Sequence, residues 1–275
     1  MASIDISALS KSFPRTGDTP LAVLDNINIA VGDGQFACLL GPSGCGKSTT
    51  LDVLAGLTPG DTGTIRINGA PDDGSFTFGY VFQRPRLLNW RSVRGNLEFA
   101  LRSRAVPREQ WNSRIERYLA LVGLSDFAEV FPLALSGGMQ QRVALARAMV
   151  IEPDVLLMDE PFSSLDELTA RRLRVELLDI VAEQEMTVLF VTHNALEAAF
   201  LADRIYVVSK RPATVLTDIE VGLARPRDPE DSRLVETQRH VISMLEDISD
   251  GDRLQRKMIE TATCARSVNE QGTRM

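Results

Sequence analysis

Apolar positions follow different rules in different stretches of this chain. Ile4 to Leu9 alternates apolar and polar residues and predicts an edge strand. Leu24 to Val31 also alternates, with Ile27, Ile29 and Val31 on one face. Gly63 to Gly69 predicts a short strand between turn glycines, and Gly79 to Phe82 predicts another. Together these four pieces predict an antiparallel β layer. Gln35 to Leu40 differs, being a short, nearly continuous apolar run of the kind that forms a buried strand.

The period becomes helical from about Val93 to Val150, where Trp111, Ile115, Tyr118, Leu119 and Val122 recur as a core-facing stripe. Beyond Pro153 short strands and helices alternate. Val155 to Met158, Thr187 to Val191 and Arg204 to Ser209 predict strands; Glu167 to Glu185 and a segment starting near Asn194 predict helices. Such alternation predicts a parallel sheet covered on both faces. A strand over Thr214 to Val221 and a helix around Leu234 to Leu245 follow, and the polar sequence from Asp247 onward predicts a mobile tail.

Composition narrows the classes. The 275 residues are 44% hydrophobic, enough for a substantial core. A formal net charge of −7 argues against a nucleic-acid partner held by bulk electrostatics. No apolar run approaches the ~20 residues that cross a bilayer, and no signal peptide opens the chain, so any membrane role is expected to be peripheral. Cys38, Cys45 and Cys264 lack metal-ligand spacing and suit a reducing cytoplasm.

The chemistry begins at Gly41-Pro42-Ser43-Gly44-Cys45-Gly46-Lys47-Ser48-Thr49, which fits the phosphate-binding pattern G-x-x-x-x-G-K-[ST]. Its glycines are expected to let backbone N–H groups face the phosphates, where a β-carbon would obstruct. Lys47 supplies a cation, Ser48 a Mg²⁺ ligand, and the helix expected from Lys47 to Ala55 points its N-terminus at the anion. Cys45 is expected to be a reactive thiol beside Lys47. The apolar strand from Val155 ends in Asp159, suited to hold Mg²⁺ through water, and Glu160, suited to take a proton from attacking water. Ser136-Gly137-Gly138 opens a helix expected over Arg142 to Val150 and makes a second anion-binding terminus. One nucleotide does not need two such cradles, whereas two subunits packed head to tail would use both.

These segments together resemble the ATPase subunit of an ATP-binding cassette transporter over about Ile4 to Ser209. Gly41 to Ser48 is similar to the Walker A loop, Leu135 to Gln140 to the signature motif, and Val155 to Glu160 to Walker B. Ser163-Ser164-Leu165-Asp166 resembles the D-loop, which brings Asp166 to the nucleotide. Gln83 resembles the Q-loop glutamine that senses Mg²⁺ and water, His193 the switch histidine, and Phe13 the aromatic that stacks on adenine. Asn194 stands where aspartate is common after the histidine. The resemblance implies an α/β P-loop NTPase with a RecA-like core sheet, an antiparallel β subdomain and an inserted helical subdomain. Its divisions would be residues 1–92 and 151–225 for the ATP-binding core, 93–150 for the signature subdomain, and 226–275 for a C-terminal helix and tail. It further implies ATP and Mg²⁺ as cofactors, with Mg²⁺ at Ser48, Gln83 and Asp159, and catalysis by Glu160, His193 and Gln83. The implied partners are a second copy of the chain, integral membrane permease subunits and, indirectly, a solute-binding protein, at the cytoplasmic face of the inner membrane.

Arg84 to Val93, with Arg86-Leu87-Leu88-Asn89-Trp90, resembles the branch that imports nitrate, taurine and other aliphatic sulfonates, although Asn89 replaces a usual proline. Ser209 to Ala213 and Leu223 to Asp228 resemble that branch too. An importer ATPase for another solute and a non-transport cassette ATPase are the alternatives. A small-molecule P-loop kinase would leave Ser136 and His193 without a role. Between Arg84 and Arg108 lie seven arginines and one acid, Glu98. Arg102, Arg104 and Arg108 read as a solvated helical face, and Arg84 to Arg94 as a docking stripe for the permease.

Overall fold

The computed structural model describes residues 2–15, 17–71, 76–228 and 230–248. The expected tail beyond 248, with Cys264, lies outside the described residues. Two sheets organise the molecule. The first is antiparallel and contains β1 (Ile4–Arg15), β2 (Asp18–Val31), β4 (Thr62–Ile67) and β5 (Ala70–Pro71), in the order β2-β1-β4-β5. The second contains β3 (Phe36–Leu40), β6 (Phe78–Val81), β7 (Val155–Asp159), β8 (Thr187–Thr192), β9 (Arg204–Val208) and β10 (Val215–Glu220), in the order β10-β9-β3-β8-β7-β6. All its neighbours are parallel except the β9–β10 hairpin.

The apolar strands of the second sheet are buried on both faces because they feed two cores. On β3, Phe36, Cys38 and Leu40 enter one core while Ala37 and Leu39 enter the other. On β8 the same division separates Val188 and Phe190 from Leu189 and Val191. One core lies beneath the antiparallel sheet and α1 (Lys47–Leu54). The other lies beneath α2 (Val93–Ser103), α3 (Trp111–Leu121), α4 (Gly137–Met149), α5 (Glu167–Glu183), α6 (Ala195–Leu201) and a helical stretch, α7, over residues 232–248. Each fully buried Leu, Val or Phe contributes about 1.5–3 kcal/mol, so both layers are needed to hold the sheet. The stripe expected on α3 is present: Ile115, Tyr118, Leu119 and Val122 are buried, and the Trp111 indole donates to Val106 O at 2.9 Å.

Three expectations are corrected. β1 is not an edge strand: Ile4 pairs with Val31 on one side and Ile67 on the other. Side-chain alternation reports which faces are wet, and the hydrogen-bonding edges lie at right angles to it. A bulge around Ala8 (φ +52°) shifts the parity so that Leu9 follows Ile4 and Ile6 into the core. The strand containing Gly79 to Val81 joins the parallel sheet beside β7, not the antiparallel layer. Gly79 fits there because a β-carbon would come within 2.6 Å of Ala148 O on α4. The third correction concerns α4, which starts at Gly137, so both glycines of the Ser-Gly-Gly string lie inside its first turn.

Candidate nucleotide site

The phosphate loop joins the end of β3 to the start of α1, with its flanks set by the strands on either side. Two of its glycines are required by packing as well. A β-carbon on Gly41 would lie 2.5 Å from Val208 Cγ2, and one on Gly46 (φ +132°) would lie 2.8 Å from Leu24 Cδ2. At these two positions close packing against β9 and β2 excludes a side chain. Lys47 is 5% exposed and donates to Gly41 O at 2.8 Å and Pro42 O at 2.9 Å, which holds its ammonium inside the loop.

Cys45 departs from expectation. Its side chain is 2% exposed and packs in the core beneath the antiparallel sheet, so the thiol faces away from the cleft and only the backbone of this residue belongs to the loop. Pro42 also takes part through its backbone, its carbonyl accepting Cys45 N–H at 3.4 Å as well as Lys47.

At the carboxyl end of β7, Asp159 is buried and accepts a hydrogen bond from the Ser48 hydroxyl. Burial raises its pKa, the Ser48 bond opposes the rise, and neighbouring Glu160 adds to it. A carboxylate held dry beside a hydroxyl suits a divalent cation, which would remove that desolvation penalty. No cluster of three or more His, Cys, Asp or Glu with metal-binding geometry occurs among the described residues. Of the residues expected to hold Mg²⁺, Ser48 and Asp159 are hydrogen-bonded to each other while Gln83 bonds Glu160; so small a set of oxygen donors suits Mg²⁺, which keeps waters and takes phosphate oxygens as ligands.

Glu160 follows in a left-handed backbone conformation (φ +45°) that turns the chain sharply at the end of β7. Its N–H bonds Val191 O at 3.0 Å, and its own carbonyl accepts from Ser163 N–H at 3.2 Å and Ser163 Oγ at 3.0 Å. One carboxylate oxygen receives Gln83 Nε2 at 3.3 Å and the other faces His193 Nδ1 at 3.0 Å. The three residues expected to be catalytic thus meet at one carboxylate, although 110 positions separate the first from the last. Asn194 caps α6, its side chain accepting Leu196 N–H at 2.9 Å and Glu197 N–H at 3.4 Å. Asparagine meets that requirement, so the departure at this position leaves the helix start intact.

A cleft of about 400 Å³ is lined by Phe13, Leu21 and Val23, by Ser43, Gly44, Lys47, Ser48 and Thr49 of the phosphate loop and helix start, and by Gln83 and Glu160. Phe13 is exposed within this lining, where an aromatic ring could stack on a base. Ser136, Gly137, Gly138 and Asp166 do not line it. Ser136 caps α4, accepting Met139 N–H at 3.3 Å, and the first turn beyond carries no acid. Asp166 caps α5, accepting Thr169 N–H at 3.0 Å, and that bonding lowers its pKa. A β-carbon on Gly138 would lie 3.3 Å from Ser164 O, so the α4 terminus abuts the Ser163–Asp166 turn.

Several arginines around the site carry roles that the sequence reading missed. Arg147 of α4 donates to Arg86 O at 2.8 Å and Pro85 O at 2.9 Å, tying the segment after Gln83 to the signature helix. A lone cation in the apolar run from Val143 to Val150 was the available signal. Arg174, 2% exposed, pairs with Glu167 and lies 3.6 Å from Glu197. Arg227 is buried and donates to Ala199 O, Phe200 O and Ala202 O, which closes the C-terminus of α6. In the arginine stripe, Arg94 is engaged internally with Glu129 at 3.0 Å and Asn112 at 3.3 Å. Arg102 and Arg108 flank the Trp111 ring at 5.9 and 5.5 Å.

The family described as ABC transporter matches residues 24–163. An aliphatic sulfonates import ATP-binding protein of Burkholderia cenocepacia is 41% identical over 229 residues, 83% of this chain and 83% of that protein. A nitrate import ATP-binding protein of Synechocystis is 39% identical over 237 residues, 86% of this chain and 89% of its own length. Among solved structures, a dimeric ATP-binding cassette in a post-hydrolysis state, bound to ADP and Pi, superposes with a TM-score of 0.72 at 28% identity. That match covers 80% of this chain and all of the other.

Proposed function

From the premise that this chain belongs to the ABC transporter family, as the ATP-hydrolysing subunit of an importer, we propose that it powers uptake of a small oxyanion of the nitrate or sulfonate class. The observation that carries the catalytic reading is the Glu160 carboxylate, held between Gln83 and His193 in the lining of the phosphate-loop cleft. Sulfonate and nitrate are both small, singly charged oxyanions, and the relatives named for importing them support that class of cargo.

Phe13 would stack on the adenine while the loop from Gly41 to Thr49 wraps the phosphates, with Lys47 leaving its carbonyl partners for the β/γ-phosphate oxygens. Ser48, Gln83 and Asp159 would hold Mg²⁺, whose charge offsets that of the phosphate oxygens. Glu160 accepts the proton of a water aimed in line at the γ-phosphorus, a role that typically contributes about 10²–10⁴-fold. Gln83 orients the same water. His193 presents Nδ1 to Glu160, so Nε2 is the nitrogen for the γ-phosphate.

The α4 terminus at Ser136, Gly137 and Gly138, together with Asp166, lies outside the cleft of its own subunit. A second copy packed head to tail would bring that terminus to the γ-phosphate, an arrangement supported by the dimeric cassette of similar fold. Residues 93–150 would form the subdomain that carries it, and the Arg147 bond to the segment after Gln83 would let permease docking reach the water-holding glutamine. Trp90, 73% exposed beside Arg91, suits that docking face. A solute-binding protein would deliver the cargo outside, and this subunit would sit against the permease at the cytoplasmic face of the inner membrane.

The test is Glu160→Gln, which keeps shape but loses basicity. The variant should bind Mg-ATP, sediment as an ATP-dependent dimer and turn over at under one hundredth of the wild-type rate. Wild-type turnover would remove Glu160 from the role of base. Stimulation of the reconstituted transporter by nitrate or a sulfonate, and not by a neutral sugar, tests the cargo.

A further inference from the structure

We infer that Arg86 is a positioning residue for hydrolysis, whose guanidinium grips the Phe82 ring and so aims the Gln83 amide at Glu160. The inference rests on the reading of Gln83 as the residue that orients the attacking water, and adds what holds it there. Gln83 is exposed and follows the end of β6, whose pairing with β7 stops at Val81 and Met158. Its Nε2 reaches Glu160 Oε2 at 3.3 Å, the long end of the hydrogen-bond range. A small displacement of the turn therefore decides whether that bond forms.

Contacts on both sides close the chain around Gln83. Before it, Phe82 stacks on Tyr80 with ring centroids 4.1 Å apart and planes 22° from parallel. The Tyr80 hydroxyl donates to Asp52 Oδ1 at 2.9 Å on α1, and Gln141 Nε2 of α4 donates to Phe82 O at 3.3 Å. After it, Arg86 takes a left-handed backbone conformation (φ +46°), with its carbonyl held by Arg147 at 2.8 Å. The chain thereby doubles back, and the Arg86 guanidinium carbon lies over the Phe82 ring, 4.1 Å from its centroid. That is well inside the ~6 Å within which a cation is attracted to an aromatic face. No carboxylate forms an ion pair with Arg86 among the described residues, so the ring is the partner of its charge. Gln141 and Arg147 tie the two ends of the turn to α4 separately. The cation on the ring ties them to each other, across Gln83.

Double-mutant cycles in the steady-state ATPase of the purified full-length chain test this role, and without permease present the docking of the arginine stripe does not enter. Arg86→Gln keeps a polar side chain but no charge. It should lower kcat about two- to fivefold, the worth of one exposed cation–π contact passed on to the transition state, with KM for ATP unchanged. Phe82→Leu keeps apolar bulk and loses the π face; it should do the same, and the double variant should be no slower than either single one. In a Gln83→Ala background, itself slow, Arg86→Gln should have no further effect on kcat, whereas a merely structural role would lower it there too. Wild-type kcat in Arg86→Gln, a rise in KM in place of the fall in kcat, or an undiminished effect in either background would each overturn the inference. Wild-type kcat in Gln83→Ala alone would instead overturn the reading of Gln83 on which it rests.

Discussion

The Thr192 hydroxyl donates to the Glu197 carboxylate at 2.7 Å, forming a bridge across the two ends of the segment that contains His193. The same hydroxyl accepts Asn194 N–H at 3.1 Å, so one oxygen holds the chain on both sides of the histidine. Arg174 lies on the other face of Glu197, paired also with Glu167 in the first turn of α5. Three elements thus fix the turn that aims an otherwise half-exposed imidazole at Glu160.

Thr192→Val keeps the β-branched shape but removes both hydrogen bonds. The expected result is a fall in kcat of about tenfold, equivalent to ~1.4 kcal/mol of transition-state stabilisation, with KM for ATP little changed because nothing in the phosphate cradle is touched. Steady-state ATPase assays check this. A rise in KM at constant kcat would show that the bridge serves binding instead.

Asp159→Asn should trade activity for stability. The folded-state pKa of Asp159 is raised, chiefly by burial, so the ionised group disfavours the nucleotide-free fold at neutral pH. Its penalty is present in full above the folded pKa and fades as pH falls toward the unfolded value. Without nucleotide, the Asn variant should melt above wild type at pH 8, by a margin that shrinks as pH falls toward the ordinary carboxylate range, while Mg-dependent hydrolysis is lost. Differential scanning fluorimetry across pH reads the sign, and a variant melting below wild type at pH 8 would contradict it.

Native protein should resist maleimide at Cys45, because a thiol 2% exposed within an apolar core offers no access. Peptide mapping by mass spectrometry should find Cys38 and Cys45 unlabelled until denaturant is added, and Mg-ATP should make no difference. Rapid labelling of Cys45 that ATP blocks would place the thiol in the cleft after all.

Arg227→Ala should destabilise the fold by about 2–5 kcal/mol, since it strands buried carbonyls at the end of α6 that no other described side chain reaches as fully. Burial lowers the Arg227 pKa to about 10, which leaves it charged at neutral pH. Urea denaturation measures the loss. A change under 1 kcal/mol would mean that water takes over the carbonyls.

The sequence by itself determined the local chemistry and the order of the elements. A Gly-rich loop between an apolar strand and a helix, a strand ending in Asp159 and Glu160, and a Ser-Gly-Gly helix start are each contained in a few neighbouring residues. Local backbone rules specify each of them. Strand neighbours were not legible. An apolar strand such as Phe36–Leu40 looks the same whichever two strands flank it, and the alternation in Ile4 to Leu9 reports wet and dry faces rather than a free edge. Cys45 shows the same limit within the loop, since spacing places its backbone by the phosphates but only packing under β2 turns its thiol inward. Only the tertiary structure decided which partners the distant cations find. Arg211 reaches Gly44 because β9 lies against β3, and Arg227 closes α6 because the chain returns beneath it; long side chains find their partners by distance in space, which no spacing along the chain encodes.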